Sequence, residues 1–315
     1  MFLELHSLHG DLMTSAPVNL MALVERYSTD EHCREALKHL RFPAGVKCLK
    51  CQSENVAPVH ERKVYVCYSC RYQFSVTVGT IFHDSHLPLT KWFLVTYLMT
   101  ESRKGISANQ IKRMLGMSYK TAWYLCHRIR AAMAEAEDKL TGTVEVDETY
   151  IGGKQRGHRR QLKNKAAVIG IRERDGHLHF IKADEVHQAT VYEIIARNVD
   201  KTVDVIMTDE SKLYNFSTTA HRKAKHKSVN HSADEYVRYE KGMCVTTNAV
   251  ESAFSLLKRG IVGTWHQVSV KHLPAYLQEM TFRFNNRKNQ YLFRDTLMRL
   301  LASESLEYKE LIKAA

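Results

Sequence analysis

The sequence predicts an α/β protein whose mixed-sheet domain follows a small cysteine module and a helical region. Three observations predict this. Two Cys-x2-Cys pairs sit close together between residues 48 and 70, helical periodicity fills residues 88 to about 139, and from Thr141 strand-like and helix-like segments alternate to roughly residue 290. At 315 residues the chain is long enough for one large core plus small modules. Its 44% hydrophobic and 25% charged shares are those of an ordinary globular protein. No run of 18 or more apolar residues occurs, so no membrane span is expected. The opening MFLELHSLHGDLM has no basic head before an apolar stretch and does not read as an export signal. A cytoplasmic location is the corresponding expectation.

Five segments follow from the pattern. Residues 1–45 form an N-terminal helical segment, read as helical from 18 to about 42 until Pro43 and Gly45 stop it. Residues 46–87 hold the cysteine module, 88–139 the helical region, 140–290 the alternating domain and 291–315 a helical tail. Lys plus Arg number 46 against 34 Asp plus Glu, a formal charge of +12. Such an excess favours a polyanionic partner, with nucleic acid ahead of an anionic membrane.

The cysteines give the sharpest local reading. Cys48, Cys51, Cys67 and Cys70 follow the spacing C-x2-C, fifteen residues, C-x2-C. Four thiolates on two knuckles suit a tetrahedral, structural zinc ion and leave no open position for a catalytic water. A segment this short buries little core, so the ion supplies folding free energy. The expected element is a zinc ribbon. Seven cysteines, an odd number, also fit thiol ligands better than a disulfide framework.

Within GISANQIKRMLGMSYKTAWYLCHRIRAAM, a helix over about 107–115, a break at Gly116 and a second helix from Ser118 resemble a helix-turn-helix. Ser118 is the expected N-cap. Lys120, Arg128 and Arg130 on the second helix are candidate nucleic-acid contacts.

The alternating domain carries the acids. TVEVDETYIGG places Asp147 on a first strand, VDVIMTDE ends a later strand at Asp209, and TTNAVESAFSLLKRG puts Glu251 near the start of a helix. Carboxylates at one strand, at the end of another and on a following helix can converge at one sheet edge. Hard oxygen donors of that kind suit paired divalent ions in phosphodiester chemistry. Taken singly, each acid reads more simply as a turn or cap residue. Asn248 is a good N-cap, and Glu251 three residues later can complete a capping box. Two basic runs lie between the acids. One contains Lys154, Arg156, Arg159 and Arg160, the other Lys223 and Lys225; with Lys258 and Arg259 these are candidate phosphate contacts. His231 is expected near the acids, as a candidate hydrogen-bond donor to a phosphate.

Together, the four-cysteine ribbon, VEVDETYIGG, IMTDESKLY, VNHSADEYV and TTNAVESAFSLLKRGIVGTWHQVS resemble the zinc-ribbon insertion-sequence transposases of the DDE class. The resemblance implies a ribonuclease H-like mixed-sheet catalytic domain, with Asp147, Asp209 and Glu251 as ligands for two Mg²⁺ or Mn²⁺ ions. Asn248 falls in the family's Asn-x-x-Glu pattern, and His231 in its Asn-His-Ser stretch. It further implies cleavage at transposon ends to free a 3′-hydroxyl, and joining of that hydroxyl to target DNA. Holding two ends implies a homo-oligomer, at least a dimer on DNA. Two other readings stay open: a sequence-specific DNA-binding regulator whose acids are caps and turns, and a general metal-dependent nuclease.

Overall fold

The computed structural model describes residues 17–134, 138–152, 165–214 and 225–313. These divide into two compact units, one holding the described residues up to Met133 together with those from Lys288, the other spanning Ala134–Arg287.

In the first unit, α1 (Leu20–Arg26) and α2 (Asp30–Arg41) are separate helices rather than one run. The break falls where Thr29, in extended conformation, caps α2 by accepting from the His32 N–H. A three-stranded antiparallel sheet follows, β1 (Val56–Val59), β2 (Val64–Cys67) and β3 (Gln73–Phe74). Next come α3 (Leu89–Glu101), α4 (Ala108–Leu115) and α5 (Tyr119–Ala132). Gly116, at φ +58°, provides the left-handed turn between α4 and α5, and the Ser118 hydroxyl caps α5 by accepting from the Thr121 N–H.

The second unit is built on a five-stranded sheet. Its strands are β4 (Thr143–Gly152), β5 (Lys165–Glu173), β6 (Leu178–Ala183), β7 (Val205–Asp209) and β8 (Lys225–Val229), in spatial order β6-β5-β4-β7-β8. The β4–β5 and β5–β6 pairs are antiparallel, whereas β4–β7 and β7–β8 are parallel. This mixed order is the ribonuclease H-like arrangement. One crossover is α6 (Gln188–Asn198), and a short hairpin of β9 (Arg238–Glu240) and β10 (Met243–Val245) precedes α7 (Asn248–Gly260) and α8 (Leu273–Asn285). In the first unit again, α9 (Leu292–Ala302) packs Phe293 against Phe93 of α3 and Tyr27, and α10 (Tyr308–Ile312) closes the described chain.

Strand alternation sorts the side chains onto two faces. Val144, Val146, Ile169, Ile171 and Ile206 join Val191 and Ile195 of α6 on one face. Ile151, Ala166 and Val168 meet Val250, Phe254 and Leu257 of α7 on the other, with Leu273 and Leu277 of α8. Odd-numbered positions of β4 and β7 therefore share the face covered by α7. Gly260 does not stop that helix: the chain runs on through a π-helical turn, Ile261–Trp265.

Candidate active site and zinc ribbon

The face shared with α7 brings the first two acids together. The β4–β7 register pairs Glu145 with Met207, and continuing it by two residues sets Asp147 abreast of Asp209 at the end of β7. Neighbouring strands lie about 4.8 Å apart, so two acids at that level share one surface. Glu251 is in the first turn of α7, on the element covering that face. Asp209 and Glu251 are both close enough for their charges to act on Asp147. The Asp147 carboxyl is pushed up to about 7, first by burial, against which the Glu148 N–H works, and further by the charges of Glu148, Asp209 and Glu251. That N–H donates to Asp147 Oδ1 at 2.8 Å.

Glu148, next along β4, turns to the opposite face and accepts from the Tyr214 hydroxyl. Burial raises its carboxyl, the tyrosine lowers it, and Asp209 raises it again. Tyr214 itself is raised far above its usual range, by burial and then by the Glu148 charge.

The start of α7 differs from the expected capping box. Thr247, not Asn248, is the N-cap residue, and Asn248 is the first helical residue, exposed, its N–H donating to Thr246 Oγ1 at 3.1 Å. The Thr247 hydroxyl donates to Glu251 Oε1 at 2.8 Å, and His231 Nε2 lies 3.4 Å from the same oxygen and 3.2 Å from the Thr247 hydroxyl. Glu251 thus faces Thr247 and His231 instead of reaching back to its own backbone. The N–H that a capping box would offer Glu251, that of Asn248, is already taken by Thr246 Oγ1, and the next two go to Glu145 Oε2, from Ala249 at 2.8 Å and Val250 at 3.1 Å. Glu145 is fully buried, and nothing in the sequence marks it out from the other residues of its strand. The one signal for it is its position two residues before Asp147, which places both on one face.

Among the described residues, the four cysteines alone form a group of three or more potential ligands gathered tightly, with all sulfurs within 4.8 Å of one another. The Cys48–Cys70 and Cys51–Cys67 sulfurs are 3.6 Å apart. Four sulfurs about 2.3 Å from a tetrahedral zinc stand about 3.8 Å from each other, so the cluster fits that ion. Burial opposes the Cys67 thiolate, but the Cys70 N–H and the Cys51 thiol bring it down to about 6.

A family described as ISXO2-like transposase domain matches residues 139–285, and one described as transposase zinc-ribbon domain matches residues 28–73. The chain belongs to the zinc-ribbon insertion-sequence transposases of the DDE class. A similar protein, described as an uncharacterized protein in transposable element ISH50 of Halobacterium salinarum, is 25% identical over 283 residues. The match covers 84% of this chain and 93% of that protein. Membership implies a DNA partner, and the ribbon family with the cysteine cluster supports a structural zinc. Among the described residues, no helix of the transposase is long and apolar enough to cross a membrane.

The basic positions of the transposase separate into three groups. Lys120 near the start of α5 is exposed, with its ammonium 4.4 Å over the Tyr308 ring, and Lys225, Lys258 and Arg259 are exposed as well. Lys154, Arg156, Arg159, Arg160 and Lys223 lie outside the described residues. Arg128 and Arg130 correct the expectation of phosphate contacts, because both are buried. The Arg128 guanidinium donates to the carbonyls of Ile81 and His83 and lies over the Trp92 and Tyr124 rings, which fixes it inside the fold.

Proposed function

We infer that this transposase cleaves transposon ends to free a 3′-hydroxyl and joins that hydroxyl to target DNA. The observation that carries this reading is Asp147 set level with Asp209 by the β4–β7 register, with Glu251 near enough to raise the Asp147 carboxyl. Mutual repulsion among these carboxylates is relieved by divalent cations, and their hard oxygens suit Mg²⁺ or Mn²⁺. When bound, such ions activate the attacking oxygen and neutralise the leaving one. Asp147, Asp209 and Glu251 would hold them.

The remaining roles belong to the chain. His231 orients the Glu251 carboxylate through its 3.4 Å contact. Lys258 and Arg259, two turns beyond Glu251, and Lys225 at the start of β8 offer exposed charge to the DNA backbone. Water attacks an end phosphodiester in the first step; the bond from phosphorus to the 3′-oxygen breaks, a proton lost by the water ends on that oxygen, and a 5′-phosphate remains on the other strand end. In the second step that hydroxyl attacks a target phosphodiester and displaces a target 3′-oxygen. Residues 46–87 serve as the ribbon, 88–139 as the helical DNA-binding region and 140–290 as the catalytic domain. Paired ends require at least a dimer on DNA, and the site of action is the nucleoid.

Cleavage and joining in Mg²⁺, on end-bearing and random duplexes, test the reading. Asp147→Asn, Asp209→Asn and Glu251→Gln should each abolish cleavage while DNA binding persists. Undiminished cleavage by any of them sinks that assignment. Equal cutting of random DNA indicates a general nuclease, and binding without cutting by the unaltered chain indicates a regulator.

A further inference from the structure

Glu145 is outside the acidic trio, yet it ties α7 to the sheet. Its Oε2 accepts from the Ala249 and Val250 N–H groups, and its Oε1 accepts from Arg174 Nη2 at 3.1 Å. Arg172, the cross-strand partner of Glu145 on β5, donates from Nη1 to the Ala249 carbonyl at 2.5 Å. Ala249 is therefore gripped at both its N–H and its C=O by two side chains that stand opposite each other on the sheet. Arg174 completes the cradle with a second bond, to the Cys244 carbonyl at 2.9 Å.

A buried carboxylate costs desolvation, so it is a poor way simply to glue a helix to a sheet. The apolar contacts of Val250, Phe254 and Leu257 already do that. Those contacts are non-directional, and a helix held by them alone can slide or turn by a fraction of a residue. Charge-assisted bonds from a helix N-terminus to one fixed anion are directional, and they set the first turn. That turn carries Glu251, two residues beyond Ala249, while Asp147 lies two residues beyond Glu145 on the same face.

We propose that Glu145, with Arg172, is a positioning residue for the acidic site: it locks Ala249 to β4, so that Glu251 meets Asp147 and Asp209 at a spacing able to hold divalent ions. The proposal rests on reading the three acids as ion ligands. It is tested on the full-length, zinc-loaded chain with two measurements, amide exchange at Ala249 and Val250 and calorimetric Mn²⁺ binding without DNA. In Glu145→Gln, near in shape but uncharged, both amides exchange faster and Mn²⁺ binds about 10- to 100-fold more weakly, the range for loss of a group that orients a ligand. Acting through Glu251 has a further signature: the double variant Glu145→Gln/Glu251→Gln binds Mn²⁺ no more weakly than Glu251→Gln alone.

Unchanged Mn²⁺ binding in Glu145→Gln, or losses that add in the double variant, overturns the positioning role while Asp147→Asn still binds weakly. Undiminished Mn²⁺ binding by Asp147→Asn overturns the reading of the trio and this proposal with it. Should the glutamine variant not fold, Arg172→Met takes its place, since it removes the grip on the Ala249 carbonyl and must weaken Mn²⁺ binding in the same direction.

Discussion

Gly170 of β5 stands opposite Asp147 of β4, and the space where its Cβ would lie is filled from α7. A methyl group there would come within 2.7 Å of the Phe254 ring and 2.9 Å of Val250 Cγ2. The absence of a side chain on one strand is what lets the helix settle directly over the acid on its neighbour. Gly170→Ala is therefore expected to cost about 1–3 kcal/mol by overpacking and to lower cleavage further by lifting α7. Gly263→Ala, where nothing lies within 4 Å, should leave the melting temperature nearly unchanged. Thermal melts of the two variants check the contrast.

Zinc should be required by the ribbon alone. Cys67→Ser is expected to reduce bound zinc from about one ion per chain to none, because three thiolates no longer close the site. Amides of β1, β2 and β3 should then lose exchange protection while those of β4 and β5 keep it. Loss of protection in both sheets would refute a purely local role for the ion.

Two sets of basic residues should answer differently to neutralisation. Arg128→Met leaves the Ile81 and His83 carbonyls without their donor, and it should cost about 1–3 kcal/mol of stability. The salt dependence of DNA binding should not move. Lys258→Ala with Arg259→Ala should do the reverse, leaving the melting temperature alone. Their plot of log K against log salt should flatten by about one unit of slope for each phosphate that is no longer neutralised.

Cys33 supplies a pH prediction. Burial, and then the Asp30 charge, push its thiol up to about 12, and its Sγ lies 3.8 Å from the Tyr27 carbonyl. A pKa raised on folding contributes stability below the unfolded value of about 8.5 and loses it as pH rises from there toward the folded value. Alkylation at pH 8 should accordingly spare Cys33 in the folded chain and reach it on unfolding. Rapid labelling in the folded state would contradict the burial.

Much of this was legible in one dimension because it depends on short-range patterns. The cysteine spacing, the Gly116 turn with its Ser118 cap, and the strands holding Val144–Val146 and Ile206–Met207 are local features. What the sequence concealed is long-range. Arg128 and Arg130 carry charges that look like solvent-facing ones, yet both are buried, and Arg128 meets the carbonyls of Ile81 and His83 from another segment. Asn248 and Glu251 have the spacing of a capping box, but the Asn248 N–H goes to Thr246 Oγ1, and Glu145, over a hundred positions earlier, takes those of Ala249 and Val250. The break at Thr29 is the opposite case, since Ser-Thr-Asp-Glu is a start signal that the surrounding helical periodicity masked.

The Glu145–Ala249 contact has a bearing on how this architecture can diverge. The acid-bearing turn of α7 is referenced to β4 by a bridge one side chain long, not by the roughly hundred residues of polypeptide that join them. The intervening stretch, including the β9–β10 hairpin, can therefore gain or lose residues without altering the gap between the strand and the helix start. Variation in length between relatives should concentrate there, leaving the two anchored ends in step.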